Sequence, residues 1–225
     1  MKYQWILFDA DETLFSFNSF IGLKTMLKRY GIDFNEQDYA EFQAVNKPLW
    51  VAYQNKEITA EQLRQRRFAK LSAQIGKDAE SLNQELMAEM AIVSQPLPQV
   101  VETLNALHGK VKMGIITNGF ESMQSKRLEN TKTADFFEFV VVSEKVGVAK
   151  PDPKIFENAI AQMGEVDKSQ ILMVGDTFSS DIVGANNVGI DSCWFNHENH
   201  HNESEIRPTY EIKNMLELVD IVQGK

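Results

Sequence analysis

The sequence predicts an α/β protein, a doubly wound parallel sheet with an all-helical segment inserted after its first strand. Three observations lead there. Short apolar runs rich in Val, Ile and Phe recur at 3–8, 112–117, 137–142, 170–175 and 191–195, the pattern of strands buried on both faces. From residue 97 onward these runs alternate with helical periodicity, as parallel strands joined by crossover helices require. Between residues 16 and 96 the periodicity is helical throughout.

Taken in order, the first strand runs into "ILFDADETLF" at 6–15, which delivers Asp9, Asp11 and Glu12 almost together. Four helical patterns follow, at 20–31, 36–56, 59–76 and 78–93, with Thr59 and Asp78 placed as N-caps. "QPLPQ" at 95–99 reads as the return linker. The chain therefore divides into a core built from 1–15 and 97–225 and a helical insert at 16–96. In the core, Pro98 suits the start of a helix over 98–107. Further helices are predicted at 121–130, 152–164, 180–189 and 214–223, and two of them end in glycine.

The chain has 225 residues, 43% hydrophobic and 24% charged, which suits one sizeable domain or a core with an insertion. Cys193 is the sole cysteine, so no intramolecular disulfide forms, and a buried apolar role in a reducing compartment is expected. Charges interrupt the N-terminus too early for a signal peptide, and no apolar run would span a bilayer, so a cytoplasmic protein is expected. A net charge of −9 disfavours non-specific binding of nucleic acid.

Ligands of open parallel sheets bind beyond the carboxyl ends of the strands. "FDADET", "TNG" and "GDTFSSD" each follow a predicted strand, so all three are expected to face one crevice. Asp9, Asp11, Asp176 and Asp181 would repel one another there without a cation. A hard, oxygen-liganded dication resolves the conflict, Mg²⁺ being the usual one and Mn²⁺ an alternative. Lys150 in "GVAKP" supplies a fixed positive charge, and Thr117, Asn118 and the Gly119 backbone offer hydrogen bonds to phosphoryl oxygens. Any one of these residues alone would read as a cap or a surface charge; their recurrence at successive strand ends points to chemistry.

The set resembles the haloacid dehalogenase superfamily in its phosphatase branch. The resemblance is carried by Asp9-Ala-Asp11-Glu-Thr13, Thr117-Asn118-Gly119, Lys150, and Gly175-Asp176-Thr177 with Asp181, in the family's order and along the whole chain. It implies a Rossmann-like core with a helical cap at 16–96. It also implies that Asp9 is the nucleophile that forms an aspartyl-phosphate and Asp11 the general acid and base. Thr117 and Lys150 would hold the transferring phosphoryl group. Asp9 and Asp176 would bind Mg²⁺ with Asp181 and the Asp11 backbone carbonyl. Within the branch, "FDADETLF", "AVNKPLW", "GIITNGF", "GVAKP" and "LMVGDTFSSDI" are similar to the YjjG-type pyrimidine 5′-nucleotidases. That likeness implies a nucleoside 5′-monophosphate as substrate, deoxyuridine and thymidine monophosphates being examples; as to assembly, the expectation is a monomer or homodimer.

For contact with the substrate, the insert offers Asn18, Asn46 and Lys47. Most of its aromatics are expected to build the core of the cap, stacking on a base being the alternative, and the arginines of "RQRRF" at 64–68 to form a solvated face. His197, His200 and His201 in "NHENHH" are expected in a polar loop rather than a metal site. Rival functions on this core are a phosphosugar phosphatase, a phosphosugar mutase, a dehalogenase (against which Asp11 counts) and a non-catalytic binding module.

Overall fold

A computed structural model describes residues 1–202 and 204–225. The chain forms two compact units. The first comprises Met1–Ser16, Gln95–Gly119 and Thr131–Lys225; the second comprises Phe17–Ser94 and Phe120–Asn130.

The first unit is built on six parallel strands: β1 (Trp5–Phe8), β2 (Lys112–Thr117), β3 (Phe139–Val142), β4 (Ile171–Gly175), β5 (Asp191–Phe195) and β6 (Tyr210–Ile212). Their order is β3-β2-β1-β4-β5-β6, so the chain winds outward from β1 in one direction and then returns to start again on its other side. That reversal opens a crevice at the carboxyl ends of β1, β2 and β4. The central strands are apolar along their whole length because both faces are covered: every residue of β1 and β4 is buried. One face packs Trp5, Leu7, Ile171 and Met173 against Ile155, Phe156 and Ala159.

The connecting helices α5 (Val100–Leu107), α7 (Ser143–Val146), α8 (Pro153–Gln162), α9 (Val183–Val188) and α10 (Glu217–Gln223) belong to this unit. Three details differ from the expected pattern. Helix α5 starts after Gln99, whose φ of 66° lies in the left-handed region, so Pro98 stands before the helix and not inside it. The predicted 180–189 helix opens as a π-helical turn, Phe178–Ile182, before α9. Strand β6 has no predicted counterpart, because only Ile212 of its three residues is buried and no apolar run marks it. Cys193 is fully buried in β5, and burial pushes its thiol pKa up, which keeps it protonated and inert. Where the chain leaves and re-enters this unit, Ser16 N–H donates to the Gln95 carbonyl at 2.9 Å and Gln95 N–H to Ser16 Oγ at 3.1 Å.

The second unit holds α1 (Ser19–Lys28), α2 (Glu36–Gln54), α3 (Ala60–Ile75), α4 (Ala79–Val93) and nearly all of α6 (Glu121–Thr131). Local sequence sets the boundaries. Asn18, Asn35, Thr59 and Asp78 each accept a hydrogen bond from the first turn of the helix they precede. Asn35 with Asp38 and Thr59 with Gln62 close reciprocal capping boxes. Helix α3 stops at Gly76, which takes a φ of 75°. Leu23, Met26, Leu63, Phe68, Leu82, Leu86 and Met90 form the interior. Residues 121–130, read from the sequence alongside the sheet, cluster here with the helices, and Asn130 Nδ2 donates to the Ala91 carbonyl at 3.0 Å.

Candidate functional site

Four strand-end segments of the first unit supply the site. Asp9 follows β1, and its N–H donates to the Val174 carbonyl at 2.9 Å, which ties the ends of β1 and β4 together. Asp176 follows β4, Thr117 ends β2, and Lys150 follows β3 and α7. Carboxylate oxygens of Asp9, Asp176 and Asp181 all lie within 4.8 Å of one another. Lys150 bridges two of these acids: its Nζ is 2.5 Å from Asp9 Oδ1 and 2.7 Å from Asp181 Oδ1. Both Lys150 and Asp181 are buried.

The π-helical turn accounts for the placement of Asp181. Its Oδ2 accepts from the Thr177 N–H at 3.0 Å, and its Oδ1 from Ser180 Oγ at 3.2 Å as well as from Lys150. Asp181 folds back so tightly that a Cβ on Gly175 would stand 2.2 Å from Asp181 Oδ2, so position 175 accepts only glycine. The requirement is one of space, since β4 is ordinary extended backbone there.

Burial and like charge govern the electrostatics. Desolvation pushes the Asp9 carboxyl up to about 7; Lys150 opposes the shift, while Asp181 and Asp11 add to it. Desolvation, with Asp9 adding to it, pushes Asp176 up to about 6 against the pull of Thr13 and Lys150. Asp181 is raised by burial as well, with Lys150 opposing and Asp176 adding. Burial works against the Lys150 charge, but Asp181 and Asp9 outweigh it and hold that ammonium above the ordinary lysine value. One lysine thus faces three carboxylates. The donors are all oxygens and the charge deficit is about two, which fits a hard dication. The side chain of Asp11 is not part of this three-carboxylate group.

A layer of side chains holds these groups in place. Thr13 Oγ1 donates to Asp176 Oδ1 and accepts from the Asp176 N–H, both at 3.0 Å. Trp194 Nε1 donates to the Asp176 carbonyl at 2.8 Å. Asn118 grips the Lys150 backbone from both sides: Nδ2 donates to the Lys150 carbonyl at 3.0 Å and Oδ1 accepts from the Lys150 N–H at 2.7 Å. Buried Thr117 accepts from the Gly119 N–H at 3.1 Å through Oγ1. The roles of Thr13 and Trp194 are not evident from the sequence. Thr13 stands inside the first motif, so its spacing carried a signal; Trp194 reads only as a strand residue.

The three substrate candidates of the insert all lie in the helical unit. Asn18 caps α1, accepting from the Ile21 N–H at 3.0 Å, and Lys47 is exposed. Asn46 is buried. Of the arginines at 64–68, Arg66 is exposed as expected and Arg64 half-buried, but Arg67 is buried beside Phe68. Most of the insert aromatics pack as core: Phe42 lies against Phe68, and Trp50 against Phe120. His197, His200 and His201 are exposed, and among the described residues none joins a metal-binding group.

A sequence model described as haloacid dehalogenase-like hydrolase matches residues 3–189. The chain is 46% identical over 222 residues to the pyrimidine 5′-nucleotidase YjjG of Escherichia coli, covering 99% of each chain. It is 32% identical to the pyrimidine 5′-nucleotidase PynA of Streptococcus pneumoniae, over 98% of this chain and 95% of that one. Among solved structures, YfnB of Bacillus subtilis in a magnesium-bound form superposes with a TM-score of 0.84 at 27% identity, covering 99% of each chain. No described helix is long and apolar enough to cross a membrane.

Proposed function

The chain belongs to the haloacid dehalogenase-like hydrolase family, and we propose that within it this protein is a Mg²⁺-dependent phosphomonoesterase acting on pyrimidine nucleoside 5′-monophosphates. The observation that carries the chemistry is the Lys150 bridge between Asp9 and Asp181 beside Asp176. The substrate class is supported by two pyrimidine 5′-nucleotidases matched over nearly their whole length. A cytoplasmic location belongs to the same reading.

Phosphate-monoester hydrolysis is slow unless charge on the phosphoryl oxygens is neutralised and the nucleophile is aligned. Asp9, fixed at the end of β1, attacks phosphorus through a carboxylate oxygen, and the bond to the leaving oxygen breaks. Asp11 gives its proton to that oxygen, and the nucleoside departs. Asp11 then takes a proton from the water that attacks the aspartyl-phosphate, which releases phosphate and restores Asp9. Lys150 and the Thr117 hydroxyl hold the equatorial oxygens, joined by the backbone N–H of Asn118, while the Gly119 N–H positions the Thr117 hydroxyl. The Asn118 side chain serves by holding the Lys150 backbone, and Asp181 by anchoring the Lys150 ammonium. Asp9, Asp176 and Asp181, with the Asp11 carbonyl, would hold Mg²⁺. When bound, the ion supplies the positive charge that lets carboxylates and a phosphate dianion share one crevice.

Phosphate release tests this reading on a panel of dUMP, dTMP, CMP, AMP and sugar phosphates, with Mg²⁺ and with chelator. Metal-dependent release that favours the pyrimidine nucleotides is expected. Release from sugar phosphates alone would leave the catalytic residues standing and remove the nucleotide assignment.

A further inference from the structure

The peptide unit that joins Asp176 to Thr177 is held at both of its polar ends. Its carbonyl accepts from Trp194 Nε1 at 2.8 Å, and its N–H donates to Asp181 Oδ2 at 3.0 Å. The peptide is trans, since among the described residues only Lys150–Pro151 is cis. In a planar trans peptide the C=O and N–H point opposite ways. The indole therefore stands on one side of this plate and the Asp181 carboxylate on the other. Turning the plate about its long axis would break both hydrogen bonds together.

Both acids beside the plate depend on it. Asp181 divides its oxygens: Oδ2 takes the Thr177 N–H, while Oδ1 takes Lys150 Nζ at 2.7 Å and Ser180 Oγ at 3.2 Å. The Thr177 N–H thus fixes the rotation of the carboxylate and keeps Oδ1 toward the lysine. Asp176 is gripped by Thr13 at its N–H and at Oδ1, and by Trp194 at its carbonyl. Trp194 is itself fixed. It is 4% exposed and lies in β5 in register with Gly175, the residue whose missing side chain makes room for Asp181. Its ring meets Phe178, which opens the π-helical turn carrying Asp181, edge to face at a centroid distance of 5.2 Å. An indole has a single N–H and no acceptor, and here that donor is spent on the peptide between two of the three clustered carboxylates.

We propose that Trp194 is a positioning residue for the metal site: its N–H, acting through the Asp176–Thr177 peptide, orients the Asp176 and Asp181 carboxylates and so sets the affinity for Mg²⁺. A donor-only indole cannot ligate a cation, so the effect runs through the backbone. Partners that orient metal ligands are commonly worth about 10–100-fold in metal affinity. The inference rests on the Mg²⁺ reading above and adds to it a residue that tunes the site.

The test is the Kd for Mg²⁺ from titration calorimetry without substrate, in the wild type, Trp194→Phe and Phe178→Leu. Trp194→Phe keeps an aromatic ring and removes the N–H. Phe178→Leu keeps the N–H and removes the ring on which the indole packs. Trp194→Phe binds Mg²⁺ about tenfold or more weakly, while Phe178→Leu stays within about twofold of the wild type. Thermal melting in chelator accompanies each variant, because a merely structural tryptophan would lower the melting temperature and leave the Kd alone. In the wild type, the indole N–H resonance of Trp194 shifts on Mg²⁺ titration with its midpoint at the calorimetric Kd, a readout that needs no substitution. A wild-type Kd in Trp194→Phe, equal weakening in Phe178→Leu, or an indole resonance that ignores Mg²⁺ each overturn the positioning role. A wild type that binds no Mg²⁺ overturns the metal reading itself, and this inference with it.

Discussion

Replacing Lys150 with methionine leaves Asp9 and Asp181 facing each other in a buried site with no cation between them. The ammonium makes contacts of 2.5 and 2.7 Å, and its side chain is 1% exposed. Each such contact is worth about 6 kcal/mol at an effective dielectric constant near 20. Desolvating the ions offsets several kcal/mol of that, and removing one partner of a buried pair costs about 3–5 kcal/mol net. For a chain of this size each kcal/mol moves the melting temperature by about 2–4 °C, so a drop of roughly 6–20 °C is expected. The assay is thermal melting of wild type and Lys150→Met in chelator at pH 8 and pH 5. At pH 5 the Asp9 carboxyl, at about 7 in the fold, is protonated and no longer needs the ammonium. The penalty therefore shrinks at pH 5. A loss under about 1 kcal/mol at pH 8, or equal losses at both pH values, would refute the account of a site held by this ion pair.

The same carboxylates set the pH dependence of the metal-free protein. Asp9 at about 7 and Asp176 at about 6 in the fold stand above the ordinary aspartate value, so the unfolded chain gives up these protons first. Their stabilising share is complete below about pH 4 and is lost as pH rises through 6 and 7, whereas the raised Lys150 value contributes evenly across that window. Mg²⁺ holds the carboxylates charged, so its gain in melting temperature is larger at pH 8 than at pH 5; an equal gain at both would count against the metal site. Asp9→Asn lowers phosphate release by about three orders of magnitude or more while circular dichroism and melting remain near wild type, and substantial residual turnover would remove Asp9 from the nucleophile role. Gly175→Ala drives a methyl group into Asp181, costs about 1–3 kcal/mol in urea denaturation, and lowers turnover because the anchor of Lys150 shifts. Wild-type stability in that variant would show that Asp181 is not held against residue 175.

Much of the architecture is written locally. Strands β1, β2 and β4 are legible because a strand covered on both faces must be apolar throughout, and Thr59 and Asp78 are legible because a helix start needs a side-chain acceptor. Asp9, Asp176, Asp181 and Lys150 stand out for the opposite reason: charges at the ends of buried strands are costly unless they act on something. What the chain conceals is how those residues meet. Lys150 reaches Asp9 across 141 positions, and Asn118 reaches Lys150 across 32, because strand order makes neighbours of β1, β2 and β4. The burial of Arg67 is hidden in the same way, since helical periodicity places a residue on a face but does not say what covers it. Composition and spacing marked out most of the elements and the charged residues of the candidate site. Only the tertiary structure decided which carboxylates share the lysine, that Asp181 occupies the space a side chain on Gly175 would fill, and that Asn46 and Arg67 lie buried with unpaired atoms, because each depends on contacts between segments that are remote along the chain.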